Sequence, residues 1–147
     1  MTKLTGAVLT ALLLASSAFA SDRKALNGTW TLEPAQSDFA GQPVVQTGTV
    51  SINDKNGIII VTRSFVYAGA TETFYYKDSQ GSRNNSTIRT NKDVKTKTKW
   101  DDDVLKVTTT DSGAVTLESY SLAKDGAMLV LVERPASKPI TLVFRRK

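Results

Sequence analysis

Arg63 is the strongest candidate for a functional side chain in this 147-residue sequence, because its neighbours predict that it is buried. It lies within Ile58–Tyr67, a segment with an apolar face. That face consists of Ile59, Val61, Phe65 and Tyr67. Period-two alternation predicts a β-strand with this face, and Arg63 with it, turned inward. A buried guanidinium is costly unless it is paired. We therefore expect Arg63 to contact a carboxylate, such as Glu72 or Glu118, or an anionic ligand; a bulge that reversed the strand would leave it exposed.

A ladder of lysines in the middle of the chain is the second chemical feature. Lys95, Lys97 and Lys99 share one face of a predicted strand, and Arg89 and Lys92 lie nearby. Stacked ammonium groups attract polyanions such as lipopolysaccharide, acidic glycans or nucleic acid. No aromatic residue of the predicted strand shares that face, so bases have no stacking platform and we expect no nucleic-acid partner. A solvated, lysine-protected outer face is the more ordinary interpretation.

Three consecutive carboxylates, Asp101, Asp102 and Asp103, raise the question of a calcium site. Calcium takes about six to eight oxygen ligands, usually from residues spaced along a loop. Consecutive residues in a tight turn point in different directions, and aspartate favours turns. The sequence therefore predicts a turn between two strands at this position and no metal site.

The composition excludes most catalytic machinery. The chain has no Cys and no His, which rules out disulfides, thiolate nucleophiles, Cys-based zinc or Fe–S sites and a Ser-His-Asp triad. Glycoside hydrolysis needs two carboxylates roughly 5–10 Å apart. Glu72 and Glu118 are candidates, but nothing in their spacing singles them out. We expect a protein that is not an enzyme and uses no cofactor.

Residues 1–20 have the three parts of a secretory signal peptide. Lys3 gives a basic start, a largely apolar run covers 7–14, and Ala18-Phe19-Ala20 gives an A-x-A end. The run is shorter than the roughly 20 apolar residues that span a bilayer, so a membrane anchor is the weaker interpretation. We expect cleavage after Ala20, one domain at 21–147, and a location in the periplasm or the external medium.

The rest of the chain is predicted to form one strand after another. Short segments rich in β-branched and aromatic residues alternate in period two, with turn residues between them. They are Gly28–Glu33, Val44–Ile52, Ile58–Tyr67, Thr71–Lys77, Arg83–Thr90, Val94–Trp100, Val104–Thr110, Val115–Ala123, Met128–Arg134 and Ile140–Arg146. In the second segment Val44, Val50 and Ile52 share a face, and 34–39 has room for one helical turn.

About eight to ten antiparallel strands in a meander follow from this pattern. A long meander leaves two exposed edges unless it closes on itself. The sequence therefore predicts an all-β protein, first as a closed up-and-down barrel and second as a two-sheet β-sandwich.

A short motif adds a family resemblance. Gly28-Thr29-Trp30 opens the first predicted strand, and Arg145-Arg146 lies near the end of the last. This combination resembles the calycin group of barrels, which includes lipocalins and fatty-acid-binding proteins, and 26–39 is similar to the start of small exported lipocalin-like bacterial domains. The resemblance implies that Trp30 lies across the closed end of the barrel, with one of the two arginines packed on its ring.

The resemblance also implies a binding protein whose barrel holds one small, mainly apolar molecule, with an anionic group as an option. The predicted lining is Ile59, Val61, Arg63, Phe65, Tyr67, Phe74, Tyr76 and Trp100, with Leu105, Val107, Leu142 and Phe144. Another class stays open: a structural or interaction module of the cell envelope with a filled interior and a basic outer face. Under both interpretations we expect a monomer that is not anchored in a membrane.

Overall fold

The computed structural model describes residues 23–55, 58–68, 70–79, 85–86 and 94–147, and omits the side chains of 70, 72–79, 85–86 and 94–95. The strands are β1 Gly28–Leu32, β2 Thr47–Lys55, β3 Ile58–Tyr67, β4 Ala70–Ser79, β5 Asn85–Ser86, β6 Val94–Asp101, β7 Val104–Asp111, β8 Ala114–Leu122, β9 Met128–Glu133 and β10 Ile140–Arg146. Two short 3₁₀ helices, η1 (Arg23–Leu26) and η2 (Pro34–Gln36), precede and follow β1. The predicted signal segment 1–20 lies outside the described residues.

The strands form one antiparallel sheet that is nearly closed into a barrel. The order across the sheet is β4-β3-β2-β1-β10-β9-β8-β7-β6-β5. The first and last strands are neighbours, with Trp30 opposite Arg146 and Leu32 opposite Phe144. The two edge strands, β4 and β5, approach each other, and β4 also contacts β6. The prediction of an all-β meander rolled into a barrel is therefore confirmed.

Some element boundaries differ from the prediction. β2 begins at Thr47 rather than at Val44, and Val44 is 55% exposed whereas Val45 is 3% exposed. The period-two rule applies only within a strand, so it gave the wrong side for Val44, which precedes β2. The predicted helical turn at 34–39 is the three-residue η2, and η1 was not predicted. Of the strand predicted over 83–90, the described part is β5.

The core fills the end of the barrel where β1 begins and β10 ends. Trp30, Val61, Leu105, Tyr120 and Phe144 have no exposed surface there. η1 covers this end, and its last residue, Leu26, is buried against the core. We call this the closed end, and the opposite end, bordered by the connection between β1 and β2, the open end.

None of the helices in the described ranges is long and apolar enough to cross a membrane.

Candidate functional site

The closed end is held by a stack of Trp30 and Arg146. The Trp30 indole donates a hydrogen bond from Nε1 to the carbonyl of Leu26 at 2.9 Å. The Arg146 guanidinium carbon lies 4.3 Å from the centroid of the indole, a cation–π distance. Its two terminal nitrogens donate to the carbonyls of Asn27 (2.7 Å) and Ala25 (2.6 Å). Arg146 thus joins the end of β10 to η1 and to the residue before β1 across the base of the barrel.

Gly28 and Arg145 are the other two residues that were predicted to form the closed end of the barrel. Gly28 has φ +130°, and a Cβ there would lie 2.7 Å from Nη1 of Arg146. The glycine of the G-x-W motif therefore makes room for the arginine. Arg145 points the other way, to Asp125 Oδ2 at 3.0 Å and to Gln36 Oε1 at 3.2 Å. Of the two candidate arginines, the structure places Arg146 on the tryptophan.

Trp100, which was predicted to line the ligand site, also lies at the closed end, outside the cavity wall. The guanidinium of Arg23, from η1, lies 5.2 Å from the Trp100 ring, and Arg23 Nε donates to the carbonyl of Asp102 at 2.9 Å. The reason is the direction of β6: inward-facing Thr98 and Trp100 lie progressively nearer the turn at the base. Alternation predicts the face of a residue but not its height in the barrel.

A cavity of about 480 Å³ opens at the other end of the barrel. This volume lies in the range of small-molecule sites. Its apolar wall includes Phe39, Val45, Phe65, Val132, Ile140 and Leu142. Its polar wall includes Arg63, Thr109, Asp111, Thr116, Glu118 and Arg134. The cavity combines an apolar side with a set of polar groups that can orient a bound molecule.

The residues predicted to line the ligand site lie at two levels along the barrel axis. Arg63, Phe65, Tyr67 and Leu142 line the cavity. Ile59, Val61, Leu105, Val107 and Phe144 instead fill the core below it. The structure places these five below the cavity rather than in its wall, because β3 rises from the base, where Val61 lies opposite Ile52, to the rim at Tyr67. Phe74 and Tyr76 have side chains outside the described residues; in register they pair with Arg63 and Val61.

The connection between β1 and β2 supplies a part of the cavity that the sequence did not indicate. Phe39, Gln42, Pro43 and Val45 from this segment line the opening. Phe39 is held there by its neighbour Asp38, whose backbone pairs with Thr141 of β10. The segment has no period-two pattern, and the apolar residues within it were the only sequence signal.

Arg63, Glu118 and Tyr120 form a hydrogen-bonded group at the bottom of the cavity, called here the polar cluster. Arg63 donates from Nη1 to Oε1 of Glu118, and the Tyr120 hydroxyl donates to Oε2 of the same carboxylate. The exposed fractions are 13% for the Arg63 side chain and 1% for that of Glu118. The paired state expected for an inward Arg63 is thus realised with Glu118. The role of Tyr120 was missed, although it follows Glu118 by two positions and must share its face.

A hydroxyl near the polar cluster completes this part of the wall. Thr109 lies on β7 opposite Thr116 of β8, and both line the cavity. Thr109 Oγ1 is buried and has no hydrogen-bond partner in the described part of the protein. Nearer the rim, Arg134 Nε donates to Thr116 Oγ1 at 3.3 Å. The hydroxyl of Thr109 therefore has a donor and an acceptor that no described residue uses.

The outer face carries the remaining predicted groups. Lys97 and Lys99 are exposed on β6, and the side chain of Lys95 lies outside the described set, as do Arg89 and Lys92. Asp101 accepts from Lys106 at 2.9 Å, and this hydrogen bond and charge hold the pKa of Asp101 below 3.8. Asp102 has φ +53° in the turn between β6 and β7. Within the described residues, no cluster of three or more acidic side chains forms that would hold a metal ion.

No protein-family model and no curated protein sequence matches the chain. Solved structures do match. Wild-type fluorescent protein UnaG has a TM-score of 0.62 at 19% identity, covering 82% of this chain and 96% of UnaG. The chain has a calycin-like fold. Secretory abundant heat soluble protein 4 from Ramazzottius varieornatus gives a TM-score of 0.66 at 11% identity, covering 84% and 96%. Fatty-acid-binding protein 1 from Echinococcus granulosus gives 0.59 at 14%, covering 84% and 98%. At these identities the likeness of the calycin-like barrels establishes the fold alone.

Proposed function

We propose that this protein is a carrier that holds one small, mainly apolar molecule inside its barrel. The observation that carries the proposal is the cavity of about 480 Å³ at the open end, with apolar side chains over much of its wall. Ligand cavities of this kind gain most of their affinity from apolar burial and their orientation from a few polar groups. The polar cluster supplies such groups at the bottom of the cavity.

The similar folds support the same proposal. Among them is a protein named for fatty-acid binding, from Echinococcus granulosus. Barrels of about eight to ten strands leave an interior that is either filled by side chains or able to hold one ligand. Here the core fills the closed end and the cavity occupies the open end, so the filled-interior alternative has less support than the carrier.

A non-enzymatic role fits the chemistry of the cavity wall. Both carboxylate oxygens of Glu118 accept hydrogen bonds, one from Arg63 and one from Tyr120. A general base must present an acceptor to the proton that it removes. The Glu118 side chain is only 1% exposed and each of its oxygens already holds one bond, so it presents little acceptor surface to a substrate, and we assign it the role of holding Arg63 in place and no catalytic role.

Export belongs to the proposal as well. The basic start, apolar run and A-x-A end of residues 1–20 support cleavage after Ala20 and a location in the periplasm or the medium. Cell fractionation followed by amino-terminal sequencing tests this part separately. A mature chain beginning at Ser21 outside the cytoplasm is expected, and an uncleaved chain retained inside the cell would contradict export.

Native mass spectrometry of the protein purified from its own host tests the carrier function. The expected result is a fraction of molecules with one extra bound mass that is released on denaturation. The matched control is Val132→Trp, which places a large ring on the cavity wall. If wild type and Val132→Trp both carry no extra mass, and wild type takes up no apolar probe in solution, the carrier function is wrong.

A further inference from the structure

The charges on the cavity wall determine what kind of head group the cavity accepts. Among the described residues of the wall, Arg63 and Arg134 are cations and Asp111 and Glu118 are anions. Arg63, the cation at the bottom, is already paired with Glu118. The described wall is thus balanced, with no excess of positive charge where a ligand head group would be buried.

A fatty-acid anion would be disfavoured at the polar cluster for this reason. Its carboxylate would compete with Glu118 for one guanidinium and leave a buried negative charge without a counter-charge. Burial of an uncompensated charge carries a large desolvation cost. Arg134 does not remove the cost, because it is exposed at the rim, where ion pairs contribute little.

An uncharged polar head group, unlike a carboxylate, would be favoured in this cavity. Thr109 Oγ1 is a buried hydroxyl of the wall without a hydrogen-bond partner in the described ranges. A hydroxyl can both donate and accept, so an alcohol or carbonyl group of a ligand can satisfy it once rotation about χ1 turns the oxygen toward the cavity. Such a bond relieves the cost of a buried polar atom that is left unpaired.

We propose that the cavity is selective for neutral amphiphiles, apolar molecules with an uncharged hydroxyl or carbonyl head group, and that Glu118 excludes carboxylates by occupying Arg63. This inference rests on the proposed carrier function and names the class of its ligand. Glu118 acts here as a specificity-determining residue, since its own charge takes the place that a ligand carboxylate would need.

Dodecanol and dodecanoate, which share one alkyl chain, provide the test. Each displaces the neutral dye N-phenyl-1-naphthylamine from the full chain at about pH 8, where the fatty acid is ionised. The quantity compared is the ratio of the two affinities, because the alcohol is intrinsically the more hydrophobic. Wild type is measured beside Glu118→Gln, which keeps the shape and an acceptor for Arg63. Glu133→Gln is the matched control, since it removes the same charge from the exposed face of β9.

The expected result is that Glu118→Gln shifts the ratio toward dodecanoate by about tenfold or more, while Glu133→Gln leaves it at the wild-type value. A ratio unchanged by Glu118→Gln, or a wild type that binds dodecanoate more tightly than dodecanol, would overturn the inference and leave the carrier function intact. Binding of neither compound nor dye would overturn the carrier function, and the inference with it.

A second variant keeps the test decisive if Glu118→Gln does not fold. The double substitution Arg63→Met with Glu118→Leu replaces the ion pair by apolar groups and keeps the bottom of the cavity uncharged. The expected ratio of affinities is close to that of wild type. A selective loss of dodecanoate binding in the double variant would show that Arg63 anchors carboxylates, and would overturn the inference.

Discussion

Arg63 and Glu118, which are 55 positions apart in the sequence, form an ion pair inside the barrel. The pair joins β3 to β8 across the interior, and Tyr120 binds the second oxygen of the carboxylate. Under the proposed carrier function, its place at the bottom of the cavity connects it with ligand choice as well as with stability. The same pair also explains how an inward arginine is tolerated beside Phe65, whose ring centroid lies 5.1 Å from the guanidinium carbon.

Removing one partner of this pair is expected to be much more damaging than removing both. Glu118→Ala removes the carboxylate that pairs with the buried Arg63 guanidinium, and the expected loss in the free energy of unfolding is about 3 kcal/mol or more. Arg63→Met combined with Glu118→Leu is expected to restore most of that loss, since apolar groups of similar volume replace the pair. Urea unfolding followed by tryptophan fluorescence measures both. A double variant less stable than Glu118→Ala would contradict this account of the pair.

Arg146→Ala is expected to destabilise the closed end, because it removes the cation–π contact with Trp30 and two hydrogen bonds to the carbonyls of Ala25 and Asn27. The expected loss in unfolding free energy is about 1–3 kcal/mol. Arg145→Ala is the matched control and removes an ion pair with Asp125 and a hydrogen bond to Gln36, both at the surface, so its effect is expected to stay within about 0.5 kcal/mol. Thermal unfolding of the two variants side by side is the measurement, and equal shifts would refute the distinction.

Gly28→Ala is expected to act on the same site through a steric clash. The new Cβ would lie 2.7 Å from Arg146 Nη1, at a backbone φ of +130°. The expected cost is about 2 kcal/mol or more. Gly126→Ala is the control: it also has positive φ, but a Cβ there meets nothing within 4 Å, so only the backbone strain of about 1 kcal/mol is expected. In an Arg146→Ala background the excess cost of Gly28→Ala is expected to fall; a purely additive double variant would show that the two residues do not interact.

Two surface carboxylates are expected to respond differently to loss of their cationic partners. A hydrogen bond from Lys106 is the main cause of the lowered pKa of Asp101, whereas for Asp125 it is the backbone amide of Ala127, ahead of Arg145. Lys106→Ala is therefore expected to bring the pKa of Asp101 back toward 3.8, while Arg145→Ala leaves that of Asp125 lowered. Carboxyl NMR titrations measure both. Equal responses would contradict the assigned causes.

The sign of the stability effect follows from the direction of these shifts. A carboxyl whose pKa is lower in the folded chain stabilises the fold above its unfolded value, and the contribution disappears as the pH falls through the folded value. For Asp101 that window lies below 3.8. The raised pKa of Lys106 acts in the opposite sense, with a contribution present below 10.5 and lost as the pH rises beyond it.

The sequence was sufficient for the barrel and for the inward position of Arg63, because both depend on period-two alternation. Alternation in β8 and β10 also indicates two side-chain relationships that were not predicted. Ile140, Leu142 and Phe144 are buried on β10, so the next residue of the same face is Arg146, which identifies the partner of Trp30. Glu118 and Tyr120 share a face by the same rule.

The position of each inward-facing residue along the barrel axis could not be predicted from the sequence. Val61 and Arg63 are adjacent on one face of β3, yet Val61 belongs to the core and Arg63 to the cavity. The boundary between them depends on the stagger of ten strands and on the segment 34–46, which brings Phe39 and Val45 over the opening. Neither property is local in sequence, and so neither is visible in the pattern of one strand.

Titration with N-phenyl-1-naphthylamine tests most directly whether the cavity is a binding site. Val132 lines the cavity, and its neighbour Leu131 is exposed on the outside of the same strand. The dye is expected to bind wild type and Leu131→Trp at one site with equal affinity, and Val132→Trp about tenfold more weakly or not at all. A flat titration with wild type, or equal binding by the two tryptophan variants, would contradict a ligand site inside the barrel.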